Sequence, residues 1–108
     1  MPDLIETSAE EVQTWLDEGT AMIVDVREDN EVVQHRIAGE TVHLPLSRFN
    51  PDAVPTDSGK RVIFVCAQGV RSFQAGQYIL DQEILSEAYN LSDGIAGWAQ
   101  AGLPLESG

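Results

Sequence analysis

The sequence predicts an α/β fold with a mainly parallel sheet, and three observations carry that prediction. Strand-like and helix-like segments alternate along the chain. One segment, Arg61–Cys66, sets Val62, Ile63, Phe64 and Val65 in a row without polar alternation, the pattern of a central parallel strand covered on both faces. The helix predicted after it, Val70 to about Gln82, places Ser72, Ala75, Gly76, Ile79 and Leu80 at i, i+3, i+4, i+7 and i+8. That stripe is small at its N-terminal end, so this end can approach a sheet closely.

The remaining elements follow in order. Leu4–Glu6 is a candidate first strand. Ser8 and Glu11 form a capping-box pattern, and Ala9, Val12, Trp15 and Leu16 continue it at helical spacing until Gly19. Ala21–Val26 reads as a strand, Asp29–His35 as a short polar helix, and Thr41–Leu46 as a strand stopped near Pro45. Ser47–Ser58 carries Pro51 and Pro55 and reads as loop with room for one helical turn. Glu87–Leu91 is the last strand, and Gly94 opens a short helix around Trp98 that ends at Gly102, before Pro104. No repeat or linker divides the 108 residues, which are expected to form one domain, residues 1–108.

Composition narrows the function. Eighteen acidic residues face six basic ones, for a net charge of −12. Phosphate binding needs a cationic surface, so neither nucleic acid nor an anionic membrane is an expected partner. The N-terminal segment Met1–Glu6 is acidic and lacks the basic and apolar parts of a secretory signal, which makes a cytoplasmic location the expectation. Cys66 is the sole cysteine, so a thiolate zinc cluster and a two-cysteine redox cycle are both excluded. His35 and His43 have no carboxylate pattern around them; no metal and no cofactor are expected.

In an α/β sheet the ligand site lies beyond the carboxyl ends of the strands. Cys66 closes the most buried strand and is followed by Ala67-Gln68-Gly69-Val70-Arg71-Ser72 and a helix. A strand, a tight loop and a helix start aim backbone N–H groups and the positive helix end at one point. A free thiol titrates at about 8.5, so such a cradle is what turns it into a usable thiolate nucleophile. The expected activators are these backbone dipoles and Arg71, without a histidine base. Ser72 either caps the helix or donates to the sulfur, and Gly69 supplies conformational freedom. Asp25 and Arg27, at a neighbouring strand end, are expected to form a structural pair, and Arg48 is a weaker candidate for the pocket. This account expects the thiol to be open to solvent and the amides to converge on it.

The segment from Cys66 to Ser72 resembles the active-site loop of the single-domain rhodaneses, a sulfurtransferase family. Ile23-Val24-Asp25-Val26-Arg27 resembles that family's Asp-Val-Arg strand. His43-Leu44-Pro45-Leu46 resembles the end of its next segment, although Arg36 and Ala38 stand where the family usually has His and Pro. Asn90-Leu91-Ser92-Asp93-Gly94-Ile95-Ala96-Gly97-Trp98 resembles its C-terminal signature. The four motifs occur in the family's order and span nearly the whole chain. The resemblance implies a five-stranded, mainly parallel sheet with helices on both faces. It also implies a sulfurtransferase that moves a sulfane sulfur from a donor such as thiosulfate to a thiol or cyanide acceptor through a Cys66 persulfide. Arg71, Ala67, Gln68, Gly69, Val70 and Ser72 would then bind substrate. The spacing Cys-x4-Arg is one residue shorter than the Cys-x5-Arg of related phosphatases, which argues against a phosphatase or arsenate reductase. A second reading is a sulfur-relay module that takes persulfide sulfur from a partner protein, with little turnover on free thiosulfate.

Overall fold

The computed structural model describes residues 3–107. Five strands, β1 (Ile5–Thr7), β2 (Ala21–Asp25), β4 (Thr41–His43), β5 (Arg61–Val65) and β6 (Tyr89–Leu91), form one sheet in the order β1-β6-β5-β2-β4. Every pairing in it is parallel. The helices are α1 (Ala9–Asp17), α2 (Asp29–Val32), α3 (Val70–Asp81) and α4 (Gly94–Gln100). The predicted α/β class and its parallel sheet are therefore what the chain adopts. The five strands of this sheet point the same way, so their carboxyl ends, and the loops that follow them, gather on one side.

β5 is central, and its residues alternate between two cores. Val62, Phe64 and Cys66 pack with Leu4, Val24, Ala75, Ile79 and Leu80 on the α3 side. Ile63 and Val65 pack with Val12, Ile23, Leu91, Ile95 and Trp98 on the side of α1 and α4. Helices thus cover both faces. The small residues of α3 do what their size suggests: a Cβ on Gly76 would lie 2.7 Å from a Leu4 methyl and 3.2 Å from the Phe64 ring. The capping box at Ser8 and Glu11 is formed.

Several predicted boundaries shift. The strand ends at Val65, so Cys66 is the first residue of the loop. The helix expected over Asp29–His35 stops after one turn at Val32, and the strand expected over Thr41–Leu46 stops at His43. Two short 3-10 turns, Leu46–Arg48 and Pro51–Ala53, occupy the segment read as loop. The two-residue strands β3 (Arg36–Ile37) and β7 (Leu105–Glu106) pair antiparallel and tie the chain's end back to the loop after α2. Two residues carry no readable periodicity, which is why that ribbon left no signal in the sequence. No helix among the described residues is long and apolar enough to cross a membrane.

Trp98 anchors the α4 side. It is fully buried, and its indole N–H donates to the Pro104 carbonyl at 2.9 Å. Trp98→Ala is expected to destabilise the fold by about 3–5 kcal/mol, the usual loss for truncating a buried aromatic. Urea unfolding should show a lower midpoint at unchanged slope.

Candidate active site

The site grows from the end of β5. The strand's alternation turns Cys66 toward the α3 face, where the first turn of α3 begins three residues after Ala67. Gly69 precedes α3 with φ +91°, a conformation that disfavours any side chain. Space forbids one as well: a Cβ there would lie 2.2 Å from the Ser92 carbonyl oxygen. The loop is also held from above. The Cys66 and Ala67 carbonyls accept the N–H groups of Ile95 and Ala96, at 2.9 and 3.1 Å, which docks the start of α4 on the loop. Gly94 makes that contact possible, since a Cβ on it would sit 2.4 Å from the Ala67 oxygen.

This clamp directs the loop's donors at the sulfur. The Gly69 N–H donates to Cys66 Sγ at 3.1 Å, and Ser72 Oγ lies 3.3 Å from it. Burial pushes the Cys66 thiol up. The Ser72 hydroxyl and the backbone N–H groups of Ser72, Gln68 and Gly69 outweigh that effect and leave it below the ordinary thiol value. The expected convergence of amides is present. The expected openness is not: Cys66 is only 1% exposed, packed into the α3-side core with the Gly69 N–H and the Ser72 hydroxyl against its sulfur. Gln68 and Val70 are the exposed parts of the loop's outer surface, with Ala67 half-buried beside them.

Arg71 stands differently from its predicted role. Its two terminal nitrogens bond the two Glu31 carboxylate oxygens at 2.8 and 2.9 Å, a fork-to-fork pair across to α2. The helix-start ion pair, not an open anion clamp, is the state of this side chain. The donors acting on the thiol are amides and a hydroxyl; Arg71 is not one of its hydrogen-bond donors among the described residues. Asp25 and Arg27 form the structural pair expected of them. They are 1% and 2% exposed, with the Arg27 Nε and a terminal nitrogen both on the Asp25 carboxylate. Arg27 also donates to the His35 carbonyl at 2.8 Å, which ties down the segment that follows α2. Arg48 is exposed and pairs with Asp29. His43 bonds the Arg27 carbonyl at 2.7 Å, and neither histidine is a partner of Cys66 among the described residues. No cluster of metal-ligating side chains occurs among the described residues.

Two hollows flank the loop and share Gln68. One, of about 250 Å³, is lined by Arg27, Glu31, His35, Ala67, Ile95 and Ala96 among others. The other, of about 530 Å³, is lined by Glu6, Gly69, Val70, Phe73, Asn90 and Ser92 among others. Sequence reasoning did not single out Asn90 as a site residue. A signal was present: Asn90 is a polar residue between Tyr89 and Leu91 in a strand covered on both faces, and such a group must find buried partners.

The Glu31–Arg71 pair makes a pH prediction. The Arg71 guanidinium holds the Glu31 carboxyl down to about 2 from an ordinary 4.5. A lowered carboxylate stabilises the fold above its unfolded value and loses that contribution as pH falls from 4.5 toward 2. An NMR titration of the Glu31 carboxyl should give a midpoint near 2 in the native chain, and one shifted back toward 4.5 in Arg71→Ala. Gly94→Ala should in turn separate α4 from the loop, lowering thermal stability and raising the Cys66 pKa together.

Comparison with known proteins agrees with this geometry. The family model for the rhodanese-like domain matches residues 8–101. A sulfurtransferase of Allochromatium vinosum is 33% identical over 95 residues, covering 86% of this chain and 85% of that protein. An uncharacterized protein of Synechocystis sp. is 34% identical over 93 residues, covering 86% of this chain; the match spans about half, 51%, of that relative's length. Among solved structures, a rhodanese-related protein of Thermoplasma volcanium superposes with a TM-score of 0.81 at 25% identity, covering 96% of this chain and 99% of that one. A thiosulfate sulfurtransferase of Pseudomonas aeruginosa superposes with a TM-score of 0.80 at 30% identity, covering 97% of this chain but 20% of that one. A loop that folds backbone donors around one cysteine, on this sheet and in this match, places the chain in the rhodanese-like family of sulfurtransferase domains.

Proposed function

We propose that this chain transfers sulfane sulfur through a persulfide on Cys66, taking it from thiosulfate or a comparable donor and giving it to a thiol or cyanide. The observation that carries the reading is the set of N–H groups from Gln68, Gly69 and Ser72 around a thiol held below its ordinary pKa. Preorganised donors of this kind stabilise charge on sulfur without reorganising during the reaction.

The cycle balances in two displacements at sulfur. The Cys66 thiolate attacks the outer sulfur of thiosulfate; an S–S bond forms to Cys66, the donor's S–S bond breaks, and sulfite leaves with its electron pair. The product is Cys66–S–S⁻. An acceptor thiolate or cyanide then attacks the outer sulfur and releases the Cys66 thiolate. The first displacement brings the donor's outer sulfur to the buried Sγ, so the loop over Cys66 yields as the donor enters. The persulfide then carries its outer sulfur about 2 Å beyond Sγ, within reach of the loop's N–H groups. The single cysteine also fits, because no second thiol in the chain can resolve the persulfide before the acceptor arrives. A reducing, cytoplasmic setting keeps such a thiol available.

One observation favours a second reading, the relay. Both arginines beside the loop are committed to carboxylates, Arg27 to Asp25 and Arg71 to Glu31. A dianionic donor would meet a neutralised pocket, or would have to take Arg71 from Glu31. Val70 and Phe73 are 64% and 44% exposed next to the same loop, an apolar surface suited to a protein donor or acceptor.

Intact-mass measurement after incubation with thiosulfate should show one added sulfur atom, removed by cyanide and absent in Cys66→Ser. Loading by a persulfidated protein donor alone would assign the relay reading; no loading from any donor would reject sulfur transfer. Glu31→Gln should lower the KM for thiosulfate several-fold by freeing Arg71, and Arg71→Ala should raise it. Equal KM values in both variants would remove Arg71 from substrate binding.

A further inference from the structure

Behind the sulfur lies a buried polar cluster that the transfer cycle leaves unused. Asn90 on β6 is 1% exposed and pairs in register with Phe64 of β5, so its side chain shares the α3 face with Cys66. Its amide orientation is fixed by its partners. The Glu6 carboxylate lies 2.9 Å and the Gly69 carbonyl 3.1 Å from one end. Both are acceptors only, so that end is the NH2 group and the oxygen faces Ser72. The Ser72 hydroxyl lies 2.5 Å from this oxygen and 3.3 Å from Cys66 Sγ. A hydroxyl has one proton. At these distances it goes to Asn90, and the thiol donates its own proton to Ser72 Oγ. When Cys66 becomes an anion, the same hydroxyl must turn to the sulfur and leave the Asn90 oxygen unpaired.

We propose that Asn90 is a positioning residue that competes with Cys66 for the Ser72 hydroxyl proton, and so sets how far Ser72 serves the sulfur anion. The competition has a use in the cycle. It withholds one donor from the resting thiol and offers it when charge develops, so the anion is stabilised without being made inert. The other contact of Asn90, to the Gly69 carbonyl, keeps the loop in place while the hydroxyl turns. The charged groups on the elements around this cluster are Glu6 on β1, the Asp25–Arg27 pair at the end of β2, Arg71 of α3 with Glu31 of α2, and Asp93 before α4. Glu6 is the one bonded to Asn90. The proposal rests on the reading that Cys66 works as a sulfur anion, but its test uses no sulfur donor.

The test is an NMR titration of the Cys66 Cβ resonance in the full chain. Asn90→Ala removes the competitor. It is expected to lower the Cys66 pKa, raising the thiolate-to-thiol ratio at fixed pH by roughly three- to tenfold, the scale of one ordinary net hydrogen bond. In a Ser72→Ala background the same substitution should give no lowering. A residue that merely props up the loop predicts the opposite sign, because a loosened Gly69 N–H raises the pKa in both backgrounds; that result would overturn the proposal. If Asn90→Ala does not fold, the isosteric Asn90→Asp decides. Its carboxylate should hold the Ser72 proton harder and raise the Cys66 pKa, with at least half of that rise lost when Ser72 is also replaced. A rise independent of Ser72 would be a plain charge effect and would equally overturn it. Failure to load sulfur from any donor would count against the transfer cycle and leave this titration standing.

Discussion

The structure depends on one close approach: the β6–α4 turn pressed against the loop that follows β5. Two backbone hydrogen bonds, from Ile95 and Ala96 to the Cys66 and Ala67 carbonyls, hold the loop's oxygens outward. With its carbonyls so engaged, the loop presents its N–H groups to its own interior, where Cys66 sits. Gly69 and Gly94 are the two points at which backbone meets backbone too closely for a side chain. Strand order supplies the rest. β5 lies between β6 and β2, so the cysteine at its end is flanked by Asn90 on one side and by the Asp25–Arg27 pair on the other.

Electrostatics around the sulfur is local rather than global. The chain carries −12, yet the thiol is held below its ordinary value. Three amides and a hydroxyl within the loop achieve this, whereas exposed carboxylates further than about 8–10 Å are screened at physiological salt. Four of the six basic residues, Arg27, Arg48, Lys60 and Arg71, are paired with acids. The surface therefore offers little free positive charge, and the exposed residues beside the loop, Gln68, Val70 and Phe73, are neutral or apolar.

The parallel sheet was legible because β5 advertises it: four apolar residues in a row before a helix with a small-residue stripe. Cys66, Gly69 and Ser72 were legible because a turn between strand and helix has few geometries. Arg71 was half legible. Its position at the start of α3 is local, but its partner Glu31 lies 40 residues away on a one-turn helix, and no pattern connects them. Asn90 was missed for a similar reason. Its partners come from β1, the β5–α3 loop and α3, and only the folded sheet assembles them. The burial of the thiol was missed because the sequence shows that a loop turns, not how tightly it closes over the atom inside it.

The most direct measurement of the central claim is a high-resolution structure of the chain after sulfur loading. The account predicts a second sulfur bonded to Cys66 Sγ, directed into the loop, with N–H groups of the Ala67–Ser72 segment at hydrogen-bond distance and the Ser72 hydroxyl turned toward sulfur. An added sulfur pointing out of the loop with those N–H groups bonded elsewhere would contradict it.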